Sequence, residues 1–257
     1  IGLDKSAHNQ SQKTGVLLVN LGTPEAPTPS ALRTYLREFL SDPRVVEIPR
    51  IVWMLILHGI ILRVRPAKSA KLYEGIWTEQ GSPLLVISKQ QKEKVSQRLV
   101  EEYGDNAVVD VAMRYGQPAI SERLKSFQQQ GVNNIVIMPL YPQYAGPTTG
   151  SVFDAVVNEL KKWRWIPSLH FVSSYHDNDG YIDALANSIT EHIDVHGKPD
   201  KLVLSYHGMP KLFLERGDPY YCFCAKTTRL LSERLSLSEE DFVMTFQSRF
   251  GKAEWLK

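Results

Sequence analysis

Six short apolar runs punctuate the chain at strand length: Gly15–Asn20 (GVLLVN), Ala107–Met113, Asn134–Pro139, Leu169–Ser173, Lys201–Tyr206 and Phe242–Phe246. Several are apolar at consecutive rather than alternate positions, as expected of parallel strands buried on both faces. Between them lie stretches with a 3.6-residue apolar period. Ser88–Tyr103 is amphipathic and charged. Gln117–Gln130 has Pro118 near its start and Gly131 just past its end, the asymmetry expected of a helix. Val152–Trp163 and Tyr181–His192 read the same way. Strand alternating with helix predicts an α/β fold with mostly parallel sheets.

The residues just beyond each run are more informative than the runs themselves. GVLLVN leads into Leu21-Gly22-Thr23-Pro24, and VDVAM into Arg114-Tyr115-Gly116. IVIMPL leads into Tyr141-Pro142-Gln143-Tyr144 and a Gly/Thr-rich stretch ending at Ser151. KLVLSY runs into His207-Gly208-Met209-Pro210, and FVMTF into Gln247-Ser248-Arg249. These clusters are expected at the carboxyl ends of strands, the edge where open α/β sheets bind ligands. The x-Gly-x-Pro shared by Leu21–Pro24 and His207–Pro210 suggests two similar halves facing a central cleft, the boundary lying near Asn178–Gly180. Residues 1–180 would form the first α/β half and 181–257 the second.

Composition changes this picture little. The chain has 257 residues, 43% hydrophobic and 23% charged, with a net charge of +2. That is enough chain for a substantial core, and no global field or basic tail points to nucleic acid. The polar start IGLDKSAHNQSQK lacks the apolar core of a signal peptide, and its lack of an initiator Met suggests a piece of a longer chain. The two cysteines, Cys222 and Cys224, are too close in sequence for a good structural disulfide and suit a reducing, cytosolic setting. They supply too few thiolates for an iron–sulfur cluster by themselves.

Ile51–Leu62 (IVWMLILHGIIL) is too short to span a bilayer as a helix. Two readings stay open: a buried core helix, or an exposed apolar lip. Arg50, Arg63, Arg65, Lys68 and Lys71 around it would suit anionic head groups.

Familiar catalytic signatures are absent. There is no G-x-G-x-x-G or P-loop, no G-x-S-x-G elbow and no H-E-x-x-H. His192 and His196 are spaced to share one helix face, although a solvated surface accounts for them as well. His207 has a more pointed context. Gly208 permits close approach, Pro210 stiffens the exit, and a neutral imidazole either accepts a proton or ligates a metal. Tyr115, Tyr141, Tyr144, Met209 and Trp255 are candidate apolar walls for a flat ligand, or else core residues.

Six ordered segments resemble the bacterial ferrochelatase family. They are GVLLVNLGTPEAPTPSALRTYLREFLSDPRVVEIPR, YEGIWTEQGSPL, AMRYGQP, MPLYPQYAGPTTGS, SYHGMPKLFLERGDPYY and TFQSRFGKAEWL. The resemblance implies insertion of ferrous iron into protoporphyrin IX by two Rossmann-like halves, with iron as a substrate and no cofactor required. It implies that His207 faces the porphyrin nitrogens as proton acceptor or metal ligand, with Leu21 opposite. Arg114, Tyr115, Tyr141, Tyr144, Met209 and Trp255 are implied as pocket residues, and Ser82 as a residue near the propionates. Trp53, Met54, Leu55, Ile56, Leu57, Ile60 and Ile61 correspond to a porphyrin-entry lip that touches membrane, which implies a cytoplasmic protein peripheral on the inner face of the cytoplasmic membrane. The family chain continues past the Trp255-Leu256 position to a glutamate that partners the histidine. A chain ending at Lys257 is therefore expected to be weakly active or inactive alone. Two rivals are a chelatase loading cobalt or nickel into another tetrapyrrole and a non-catalytic tetrapyrrole-binding module.

Overall fold

The computed structural model describes residues 12–248 and 253–256. The polar start up to residue 11, Arg249 and Lys257 lie outside the described residues. The chain divides into two compact units: residues 1–140 with 146–173, and residues 141–145 with 174–257.

The first unit is built on a four-stranded sheet of order β2-β1-β3-β4, parallel throughout. Its strands are β1 (Thr14–Thr23), β2 (Ala107–Gly116), β3 (Asn134–Pro139) and β4 (Ser168–Phe171). Central β1 buries Leu17, Leu18 and Val19 in succession, which is the unbroken apolar run of a two-faced parallel strand.

Helix α1 (Pro29–Leu40) starts where the Thr28 hydroxyl accepts the Ala31 N–H at 3.4 Å, with Pro29 preorganising the first turn. Its buried face is Leu32, Tyr35, Leu36 and Leu40, a helical stripe. A continuous helical stretch comes next as α2 (Arg50–Ile56), a π-helical turn (Leu57–Ile61) and α3 (Leu62–Glu74). Three further α-helices of the described residues belong to this unit: α4 (Pro83–Tyr103), α5 (Ile120–Gln129) and α6 (Ser151–Leu160). The last two bury the stripes Ile120, Leu124, Phe127 and Val152, Val156, Leu160.

The second unit holds a parallel pair, β5 (Leu202–His207) and β6 (Phe242–Gln247), with α7 (Asp179–His196), α8 (Lys211–Glu215) and α9 (Tyr220–Arg234). Met209, Cys224, Phe246 and Leu256 are buried together, with Tyr206, Tyr220 and Tyr221 packed against them.

The α/β class with parallel sheets stands. One local expectation needs correcting: the residues expected just beyond the strands are largely their last rungs. Gly22 pairs with Tyr115 and Thr23 with Gly116, so β1 and β2 carry their ladder through both motifs. His207 likewise pairs with Gln247 at the end of β5. Polar and glycine residues do not end a strand while a neighbour still offers backbone partners.

Candidate active site

The end of the β1–β2 ladder is set by close backbone approach. Gly22 has φ +116°, and a Cβ there would lie 1.9 Å from the Tyr115 carbonyl oxygen. Only glycine lets the two strands meet in this way. The Tyr35 hydroxyl donates to the Gly22 carbonyl at 3.3 Å. Thr23 donates to the Ser82 hydroxyl at 2.8 Å, tying the strand end to the residue that precedes α4. Ser82 is thus buried, and Leu21 is half-buried against the core around α1.

Beside this junction lies a polar network that no sequence motif predicts. Asp42 Oδ2 accepts from Arg114 Nη2 at 2.6 Å, Tyr115 Oη at 2.8 Å and Ser151 Oγ at 2.6 Å. Its other oxygen accepts the Arg44 backbone N–H at 2.8 Å, a turn closed two residues on. Arg114 Nε also donates to Ser151, and its guanidinium sits 4.5 Å from the Tyr115 ring centre. Burial by itself would raise the Asp42 carboxyl pKa. The hydrogen bonds from Ser151, the Arg44 N–H and Tyr115, with the Arg114 charge, outweigh it and hold the group below its ordinary 3.8. Tyr115 is pushed up chiefly by burial, so its phenol stays protonated and donates. Tyr115 is 0% exposed. In this arrangement it offers no surface to a ligand, and with Arg114 it stiffens the strand end.

The lip segment has two faces. Leu57 is fully buried, while Trp53, Met54 and Ile61 pack half-buried on the α1 core. Trp53 Nε1 donates to the Leu40 carbonyl at 2.6 Å. Ile51 (80% exposed), Leu55 (71%) and Ile60 (59%) face outward, with exposed Arg63, Arg65, Lys68 and Lys71 beyond them. Ile56 is half-buried. The core and lip readings therefore describe opposite faces of one helix. Among the described residues, no helix is long and apolar enough to cross a membrane.

In the second unit, strand alternation positions His207. Leu202, Leu204 and Tyr206 are half-buried on one face of β5, and Val203, Ser205 and His207 are exposed on the other. Behind the histidine the chain is fixed. Gly208 N–H donates to the Gln247 carbonyl at 2.6 Å, Leu256 N–H to the Met209 carbonyl at 3.0 Å, and Pro210 bridges to Trp255. Met209 is a core residue, whereas Trp255, Tyr141 and Tyr144 are half-buried. Partial desolvation holds the His207 imidazole below its ordinary 6.5. The neutral ring, with a lone pair for a proton or a metal, is therefore the form present at neutral pH. Burial pushes the Cys224 thiol up to about 12, while Cys222 is exposed. Among the described residues, no three His, Cys, Asp or Glu side chains converge on a metal-sized site.

The ferrochelatase family model matches residues 13–257. The chain belongs to the ferrochelatase family. It is 61% identical over 250 residues to Ferrochelatase 2 of Shewanella oneidensis, covering 97% of this chain and 76% of that protein. The Ferrochelatase of Shewanella denitrificans is 58% identical over 260 residues, with 97% and 77% covered. That of Thioalkalivibrio sulfidiphilus is 58% identical over 250 residues, with 97% and 68% covered. Among solved structures, SirB from Bacillus subtilis with Fe3+ aligns over 94% of this chain and 68% of its own, at 12% identity and a TM-score of 0.48. The ferrochelatase reaction makes haem from protoporphyrin IX and ferrous iron, so those are the substrates the family implies, with the metal as cargo.

Asp42 is the site residue that sequence reasoning misses. Its signal is local: an Asp-Pro directly after an amphipathic helix, where the carboxylate closes a turn on the Arg44 N–H. That pattern predicts a turn but not the three further donors that tertiary structure brings.

Proposed function

We propose that this chain inserts ferrous iron into protoporphyrin IX with His207 at the reacting face. The observation that carries this reading is the exposed His207, at the end of β5 on its outward face, in a chain that the ferrochelatase family model matches over residues 13–257.

Insertion converts the free-base porphyrin and Fe2+ into the iron porphyrin and two protons. The two pyrrole N–H bonds break as four nitrogens bind the metal. A neutral imidazole suits either service the step needs, accepting a pyrrole proton or handing over the ion. Leu21, Tyr141, Tyr144, Met209 and Trp255 serve as porphyrin contacts. Arg114 and Tyr115 support the wall through Asp42, and Ser82 fixes the loop nearest the propionates. A macrocycle held off-planar between rigid walls would expose its nitrogen lone pairs, and the close Gly22–Tyr115 approach suits such a wall. The exposed Ile51, Leu55 and Ile60, with the basic side chains of α3, suit a peripheral site on anionic lipid at the cytoplasmic face.

Zinc insertion followed by porphyrin fluorescence tests the reading. His207→Ala is expected to abolish insertion while porphyrin binding persists. Insertion surviving that change would overturn the assignment. The wild-type rate is expected to fall on the acid side with a midpoint below 6.5, where the lowered imidazole pKa finally takes up its proton.

A further inference from the structure

The C-terminal turn of α7 carries His192 and His196, which the porphyrin reaction does not use. Both are exposed. Helical positions four apart stand one above the other on the same face. The two imidazole rings follow this rule, with centroids 4.4 Å apart and planes 38° apart. The C-terminal end of a helix carries the negative end of its dipole, which favours a cation there.

The ring separation selects among metals. With a metal–imidazole bond of ~2.0–2.1 Å and the ring centre roughly an ångström beyond the nitrogen, two rings on one ion lie about 4.5 Å apart at a right angle and about 5.2 Å apart at the tetrahedral angle. The observed 4.4 Å fits the right angle. A right-angled pair of nitrogens is one edge of a square-planar or octahedral site, the geometry of Cu2+ and Ni2+, whereas Zn2+ is characteristically tetrahedral.

We propose that His192 and His196 form a two-point chelating site for Cu2+ or Ni2+ on the surface of α7, with water in the remaining positions. Ferrous iron stands below both ions in affinity for nitrogen ligands. The site therefore takes metals that compete with iron rather than the substrate itself.

Titrating untagged protein with CuCl2 and with NiCl2, by calorimetry and by the copper electron paramagnetic resonance spectrum, tests this. One equivalent should persist in His207→Ala, and one equivalent should be lost in each of His192→Ala and His196→Ala. Because the chelate exists only while the helix is folded, Ni2+ should raise the thermal midpoint of the wild type and leave either single variant unmoved. Iron insertion should be unchanged in both variants. Undiminished binding in His196→Ala would overturn the site, as would a midpoint rise accompanied by metal-dependent dimerisation, which would mark bridging between chains. Tighter binding of Zn2+ than of Ni2+ would overturn the right-angle geometry.

Discussion

Two strand ends in this chain share the sequence pattern x-Gly-x-Pro and end differently. At Leu21–Pro24 the strand belongs to a four-stranded sheet, still pairs with β2 after its pairing with β3 has ended at Val19, and closes against Tyr115 through Gly22. Its neighbouring polar groups are buried in a network centred on Asp42. At His207–Pro210 the strand belongs to a two-stranded pair with one exposed face, and the alternation of β5 turns the histidine outward. The first end fixes geometry and the second leaves its last side chain exposed. A short motif therefore marks a strand end, but the sheet around it decides whether the side chains there are buried as a brace or left exposed.

The sharpest way to break the contrast is at the brace. Asp42→Ala leaves the Arg114 guanidinium, whose side chain is only 17% exposed, without its carboxylate. Removing one partner of a buried pair costs about 3–5 kcal/mol. A loss of that size in urea unfolding is expected, and a loss under about 1 kcal/mol would show that the network is ornamental to stability. The carboxyl's depressed pKa gives the same contribution a pH signature. It is fully present above 3.8 and disappears as pH falls through the lower folded value.

Gly22→Ala attacks the junction rather than the charge. The positive φ alone costs about 1–3 kcal/mol for a residue with a Cβ. The clash with the Tyr115 carbonyl must also be relieved by separating β1 from β2. Insertion activity and stability are expected to fall together, because the same displacement moves Leu21. Retained stability with lost activity would place Gly22 in ligand approach instead of strand pairing.

How much of this is legible in the sequence depends on range. The consecutive apolar residues of β1 and the stripes of α5 and α6 announce an α/β fold, since period and burial are properties of a few neighbouring residues. Helix α1 is absent from the periodic stretches singled out above, although Thr28-Pro29 is a capping signal and the structure uses it as one. His207 is legible as the end of a short apolar run. The fully buried state of Tyr115 is not, because nothing in Arg114-Tyr115-Gly116 says that Asp42, 72 residues from Arg114 in the chain, returns to accept from both side chains. Long-range polar partners leave no local period, so the brace is the part of the site that sequence conceals.

The second unit has a smaller acid sensitivity of its own at His176. This ring is buried and stacks on Phe223 with centroids 3.8 Å apart. Burial lowers its pKa from 6.5, opposed by nearby Asp177 and reinforced by Lys226. The neutral form is therefore the folded form. Its contribution to stability is complete above 6.5 and declines as pH falls below that value towards the folded pKa. The thermal midpoint should fall over this interval in the wild type and stay flatter in His176→Phe, which keeps the stack without a titrating group. An equal decline in both would assign the effect elsewhere.

The smallest stability effect is expected at His207, and its smallness is the point of the comparison. The ring is exposed, and the neighbouring backbone is fixed by Gly208 and Met209 rather than by the imidazole. Surface substitutions that break no buried contact usually fall within about 0.5 kcal/mol. His207→Ala should unfold in urea at nearly the wild-type midpoint while losing metal insertion. A midpoint shift comparable to that of Asp42→Ala would mean that His207 is itself part of a brace, and the division between the two strand ends would fail.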